Sequence, residues 1–92
     1  MTPLTQHAKV RMQQRGISAA TLDSLLAYGS QAHDHHGATI VYFDKKARTR
    51  LLKDSGRVAY RAMEKQLNTY AVVAGDGAVI TVGRRDRRIP RR

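Results

Sequence analysis

Residues 68–82 read NTYAVVAGDGAVITV, and this stretch decides the fold. Two runs, Asn68 to Ala74 and Ala78 to Val82, carry the β-branched and aromatic residues that fit a pleated strand. Between them Gly75-Asp76-Gly77 supplies an Asp-Gly pair and two glycines, residues that accept the positive φ of a hairpin turn. The pattern predicts an antiparallel hairpin. An antiparallel sheet then needs further strands and something to cover it.

A second hairpin lies upstream. Ser30 to His36 reads as a polar strand, Gly37 as the turn, and Ala38 to Phe43 as a strand of β-branched and aromatic residues. Ile40 and Tyr42 share one face of that strand, Val41 and Phe43 the other. Apolar groups on both faces predict a central position in the sheet. Between the hairpins, Asp44 to Leu67 places Ala47, Leu51, Leu52, Val58, Ala59, Ala62, Met63 and Leu67 in one helical phase. The phase continues across Ser55 and Gly56, so one helix with a weak point there is expected. Two helices joined at Gly56 are the alternative, because a mid-helix glycine costs roughly 1 kcal/mol against alanine.

The opening residues predict two short helices. Thr5 caps the first, with Leu4, Ala8 and Met12 apolar and Gly16 as the stop. Ser18 caps the second, with Leu22, Leu25 and Leu26 at helical spacing and Gly29 at its end. Ile17 stands where a hydrophobic staple would pack on Leu22. The expected fold class is α+β in the order ααββαββ. An N-terminal αα-hairpin packs with the long or broken helix on one face of an antiparallel sheet of about four strands. Residues 1–83 form one domain, and Arg84 to Arg92 form an Arg-rich tail.

Composition narrows the partner. Ninety-two residues make a small domain with a thin core. There is no cysteine, which excludes disulfides and thiolate metal sites. No apolar run approaches the ~18 residues of a membrane span, and Met1 to Gln14 lack the apolar centre of a signal peptide, so a cytoplasmic location and no membrane partner are expected. Twelve Arg and five Lys against seven Asp and Glu give a net charge of +10. The tail, with six Arg and one Asp, supplies half of it. Such a balance predicts a polyanionic partner, most plausibly RNA or DNA, because guanidinium forks match phosphate oxygens.

Three clusters could carry chemistry. His7, Arg11 and Arg15 fall at i, i+4 and i+8 on one helix stripe, a candidate phosphate grip. His33-Asp34-His35-His36 alternates along a strand, with His33 and His35 on one face. His33 and His35 are candidates for acid–base work in RNA cleavage, with His7 as the complementary group. No second ligand cluster accompanies these histidines, so no metal is assigned, and no phosphate loop or other cofactor motif occurs. Thr81, Arg84 and Arg85 lie at the end of a central-looking strand, with Arg87 and Arg88 following as nucleic-acid contacts. Tyr42 and Tyr70 are weighed as a base-stacking pair, but a core this small is expected to use most of the rings itself.

The sequence His7-Ala8-x-x-Arg11-Met12-x-x-Arg15-Gly16-Ile17-Ser18, with Leu25, Gly29 and the final Ala78-Val79-Ile80-Thr81-Val82, resembles a family of small bacterial domains of unknown function. More distantly it resembles the RelE and barnase-like ribonuclease toxins, although those usually begin with a strand. The resemblance implies a compact sheet packed by helices, metal-independent RNA cleavage and an acidic antitoxin-like partner. It places the family's His and Arg at His7, Arg11 and Arg15, and a hydroxyl at Thr81. Two functions follow as expectations: a toxin-like endoribonuclease, or a non-enzymatic accessory or regulatory module of a mobile element. The module would grip nucleic acid or an acidic protein.

Overall fold

The computed structural model describes residues 3–33 and 36–85. The chain opens with α1 (Gln6–Arg15) and α2 (Ala19–Tyr28). The Thr5 hydroxyl caps α1 by accepting from the Ala8 amide at 3.1 Å, and Ser18 caps α2 by accepting from Thr21 at 3.1 Å. Gly16 ends α1 at φ 64°, and the Ile17 amide reaches back to the Met12 carbonyl at 2.9 Å. That closure turns the chain sharply and drops Ile17 into the core beside Leu22. Gly29 ends α2 for a different reason. Its backbone is extended, and a Cβ there would lie 2.5 Å from the Leu25 carbonyl and 2.6 Å from a Val41 methyl. Only a glycine lets the helix end pass this close to the sheet.

Four strands form one antiparallel sheet in the order β1 (Ser30–His33), β2 (Thr39–Tyr42), β3 (Thr69–Val73) and β4 (Val79–Arg84). The Ile40-to-Phe43 run is central as its composition predicts. The last strand is not: β4 lies outermost, and Pro3 to Thr5 run along its outer edge. There the Val79 amide donates to the Pro3 carbonyl at 2.9 Å and the Thr5 amide to the Val79 carbonyl at 3.0 Å. This short parallel bridge gives β4 the appearance of an inner strand. The β3–β4 turn closes through the Gly77 amide on the Ala74 carbonyl and the Asp76 carboxylate on the Ala78 amide, with only Gly77 of the two loop glycines at positive φ.

The helix between the hairpins, α3 (Lys45–Met63), breaks at Gly56, where φ is 83° and ψ is 165°. The single-helix expectation fails here, and the phase argument fails with it. Before the break Ala47 and Leu51 are wholly buried. After it Val58 is 87% exposed, and Ala59 and Ala62 are exposed too. The kink re-aims the second segment, so Val58, Ala59 and Ala62 face solvent while Tyr60 and Met63 still pack against the core. The first segment is tied to α2 by the Arg50 guanidinium, which donates to the Tyr28 carbonyl at 3.0 Å. The Asp54 carboxylate also takes a hydrogen bond from the Tyr28 phenol and raises its pKa above the ordinary value.

The strand register assigns the two faces of the sheet. Val41, Ala71 and Val82 stand opposite one another, and with Val79 they join one cluster with Ala8, Ile17, Leu22, Leu25, Ala47 and Leu51 from the helices. Every helix therefore contributes to the core on that face. Each large apolar side chain buried there contributes about 1.5–3 kcal/mol. The opposite face carries two cross-strand rows. One is Ser30, Tyr42, Tyr70 and Gly83; the other is Ala32, Ile40, Val72 and Thr81.

Candidate nucleic-acid interface

The helix-free face of the sheet has a definite chemistry. Alternation along β2 puts Ile40 and Tyr42 on it, and alternation along β3 puts Tyr70 and Val72 beside them. Tyr42 and Tyr70 are directly opposed neighbours, about 5 Å apart at their backbones. Their states differ. Tyr42 is only 7% exposed, with the Arg85 guanidinium 5.2 Å from its ring centroid. Arg85 is fixed there by a 2.7 Å hydrogen bond to the Phe43 carbonyl, and its amide donates to Asn68 at 2.8 Å. Tyr42 thus works as a pedestal for a flat cation.

Tyr70 is half-buried and lies over Gly83 on β4. The ring fills the space a side chain at Gly83 would take, an aromatic covering a glycine across a strand pair. Beside these rings a depression of about 510 Å³ opens at the β1 side, lined by Ser30, Ala32, Tyr42, Asp44, Lys45 and Lys46. Asp44 is engaged as the α3 cap, accepting from the Ala47 amide at 2.8 Å. The two lysines leave a positive rim. The face therefore combines an accessible ring, a planar guanidinium, apolar Ile40 and Val72, the Thr81 hydroxyl, and cations at its border.

The sequence-predicted residues divide between this face and elsewhere. Arg85 and Thr81 lie on it. Arg84, the last residue of β4, sits opposite Thr69 and turns to the helix side, where its terminal nitrogen is 3.9 Å from the position a Cβ on Gly16 would take. The strand thus runs two residues past the expected end at Val82. His7 and Arg15 are exposed on α1, and Arg11 is half-buried there. His33 ends β1, exposed, with Nδ1 3.4 Å from the Thr39 hydroxyl across the strand pair. The expected strand through His36 stops there, and His36 lies in the turn. Asp34, His35, Arg87 and Arg88 lie outside the described residues.

The structure does not gather His7 and His33. α1 runs along β4, and β1 is the opposite edge, three interstrand steps or about 14 Å away. Among the described residues no group of three or more His, Cys, Asp or Glu side chains is placed to hold a metal ion. Nor is any described helix long and apolar enough to cross a membrane.

Lys45 and Lys46 were missed in the sequence, and Tyr70, weighed there for base stacking, was expected to serve the core. A signal was available: Tyr42 and Tyr70 occupy the same face parity as Ile40 and Val72, away from Val41 and Ala71. Too few helical apolar residues remain to cover both sheet faces. Comparison with family models, with curated proteins and with solved structures found no match, so the site rests on its own geometry.

Proposed function

We propose that this chain binds single-stranded RNA on the helix-free face of its sheet and holds it without cleaving it. The observation that carries the reading is Tyr70, a half-buried ring over Gly83, paired across the strands with the Tyr42 that carries the Arg85 guanidinium, in a chain of net charge +10. Bases of a single strand can be splayed out and stacked on such rings and guanidinium planes, each worth about 1–3 kcal/mol. Lys45 and Lys46 at the border supply phosphate contacts that carry no base preference. A duplex hides its base faces and would gain only the electrostatic part. RNA is favoured over DNA because it is the single-stranded polyanion that a cell holds in quantity.

Cleavage without a metal needs an acid and a base converging on one phosphate. His7 and His33 flank opposite edges of the sheet, which favours binding over the toxin-like ribonuclease. The test is fluorescence anisotropy with a labelled RNA nonamer and its duplex, alongside gel analysis of the RNA in EDTA. Tyr70→Ala is expected to weaken single-strand binding about 5- to 100-fold, from one lost stack. Equal affinity for duplex or heparin, or an unchanged Tyr70→Ala variant, would overturn the reading. RNA cut by the wild type and left whole by a His7→Ala or His35→Ala variant would restore the enzyme.

A further inference from the structure

We infer that the end of β4 carries a second phosphate site, made by Arg11, Arg15 and Arg84, onto which an RNA strand passes when it leaves the open face. The inference rests on the single-strand reading above and extends it by giving the strand a path.

Arg84 and Arg85 are consecutive but serve opposite sides of the sheet. Arg85 lies over Tyr42 on the open face, while Arg84 reaches the helix side beside Gly16. The two guanidiniums therefore straddle the end of β4. α1 starts beside Val79, where Leu4 forms its bridge, and finishes beside Arg84, where Gly16 turns the chain. Its last turn thus delivers Arg15 to the same corner, and Arg11 stands one turn earlier on the same stripe. Residues four apart on a helix have Cβ atoms about 5–6 Å apart, a spacing that one phosphate can bridge.

A separate observation points to an anion at this corner. The Nε of Arg11 is closed off from solvent and has no acceptor among the described residues. A guanidinium is always charged, so one with a desolvated and unmatched N–H lacks part of the hydration it lost. The negative end of α1 favours cations in its last turn, which accounts for Arg15, but not for Arg11 a turn earlier with a donor unmet. A phosphodiester seated on the outer nitrogens of Arg11, Arg15 and Arg84 supplies the countercharge that a partly desolvated guanidinium lacks, with two non-bridging oxygens as acceptors; the sealed Nε itself stays unmatched. From Tyr42 to β4 is two interstrand steps, about 10 Å. The corner lies beyond β4 on the helix side, so a trinucleotide held with its bases on Tyr70 and Arg85 keeps both phosphates on the open face, and a nonamer has phosphates left to reach round.

The experiment compares a trinucleotide with a nonamer of the same RNA sequence, in anisotropy titrations across salt. The triple variant Arg11→Gln, Arg15→Gln, Arg84→Gln is expected to bind the trinucleotide as wild type does. For the nonamer it should lose at least tenfold, with a salt slope shallower by about 2, from three phosphate contacts at ~0.7 each. A charge-matched variant on the exposed part of α3, Lys53→Gln, Arg57→Gln, Arg61→Gln, should leave the nonamer slope as it is. Arg84→Gln alone, at an exposed position, covers the case in which the triple variant folds poorly, and should give about a third of the slope change. Equal losses for both RNA lengths, no loss for either, or the same loss in the α3 variant would overturn the corner site. If Tyr70→Ala leaves trinucleotide binding untouched, the open-face reading fails instead, whatever the arginines do.

Discussion

Replacing Gly83 by alanine tests the open face without removing any group that would touch RNA. Gly83 lies under the Tyr70 ring, and a Cβ built on it would stand 2.9 Å from Cε1, 2.9 Å from the hydroxyl oxygen and 3.0 Å from Cζ. Non-bonded heavy atoms are comfortable at about 3.5–4.0 Å, so this ring edge must retreat by roughly 0.5–1 Å. The backbone does not resist the change, because Gly83 is not among the glycines at positive φ. Overpacking in a rigid core costs about 1–3 kcal/mol, but Tyr70 is half-buried and can tilt outward. Some of the cost is offset by the unfolded chain, which alanine stiffens by about 0.4–1 kcal/mol. The fold should therefore lose ~1 kcal/mol or less. A stack on Tyr70 is worth about 1–3 kcal/mol, and a tilted ring forfeits part of it, so RNA affinity should fall about 3- to 30-fold. Urea midpoints report the first quantity and anisotropy with the trinucleotide the second. Wild-type affinity in a folded Gly83→Ala protein, with Tyr70→Ala weakened, would refute the claim that ring geometry matters. A stability loss above ~3 kcal/mol would show that the pair is structural first.

Gly56→Ala should destabilise the protein by about 1–3 kcal/mol in urea melts, because φ 83° with ψ 165° is a conformation essentially confined to glycine. Beyond the adjoining backbone nothing lies within 4 Å of the added methyl, so the loss reflects backbone strain rather than a clash; a gain in stability would mean that α3 prefers to be continuous. Thr69→Val should be neutral or stabilising by up to ~1 kcal/mol. Thr69 is fully buried with no partner for its hydroxyl among the described residues, so an apolar replacement of the same shape removes a desolvated group. A loss above ~1 kcal/mol in the melting midpoint would reveal a hydrogen bond that the hydroxyl makes.

The sequence was most legible where one residue type has one local use. Thr5 and Ser18 cap α1 and α2 through their own hydroxyls, and β2, β3 and β4 form where β-branched residues cluster. It was least legible where the same residue serves two physical purposes. Gly56 in helical phase looks like a tolerated weak point, yet its backbone breaks α3 and leaves Val58 in solvent. Gly29 looks like a left-handed stop, yet it is extended and is needed for its closeness to Val41. β4 reads as central from its composition, yet it lies outermost, its outer edge bridged at Val79 by Pro3 to Thr5. For Gly29 and β4 the deciding contact comes from a segment distant in sequence, which local periodicity does not register.

The tyrosines show how this shaped the functional reading. A chain of this size has apolar side chains for one core, and the sheet directs them to the face of Val41, Ala71 and Val82. Assigning Tyr42 and Tyr70 to the core as well assumes that a second layer of structure covers the other face. The three helices all contribute to the first face instead, and the rings are left on the second. Tyr42 is buried there and Tyr70 covers Gly83, but a solvent-facing antiparallel sheet would ordinarily alternate to polar residues. Ile40, Val72 and Tyr70 depart from that alternation on adjoining strands, and Arg85, Lys45 and Lys46 stand around them. A flat apolar centre with a cationic border is costly in water and matches bases and phosphates in chemistry, which is why the proposal seats a single strand there.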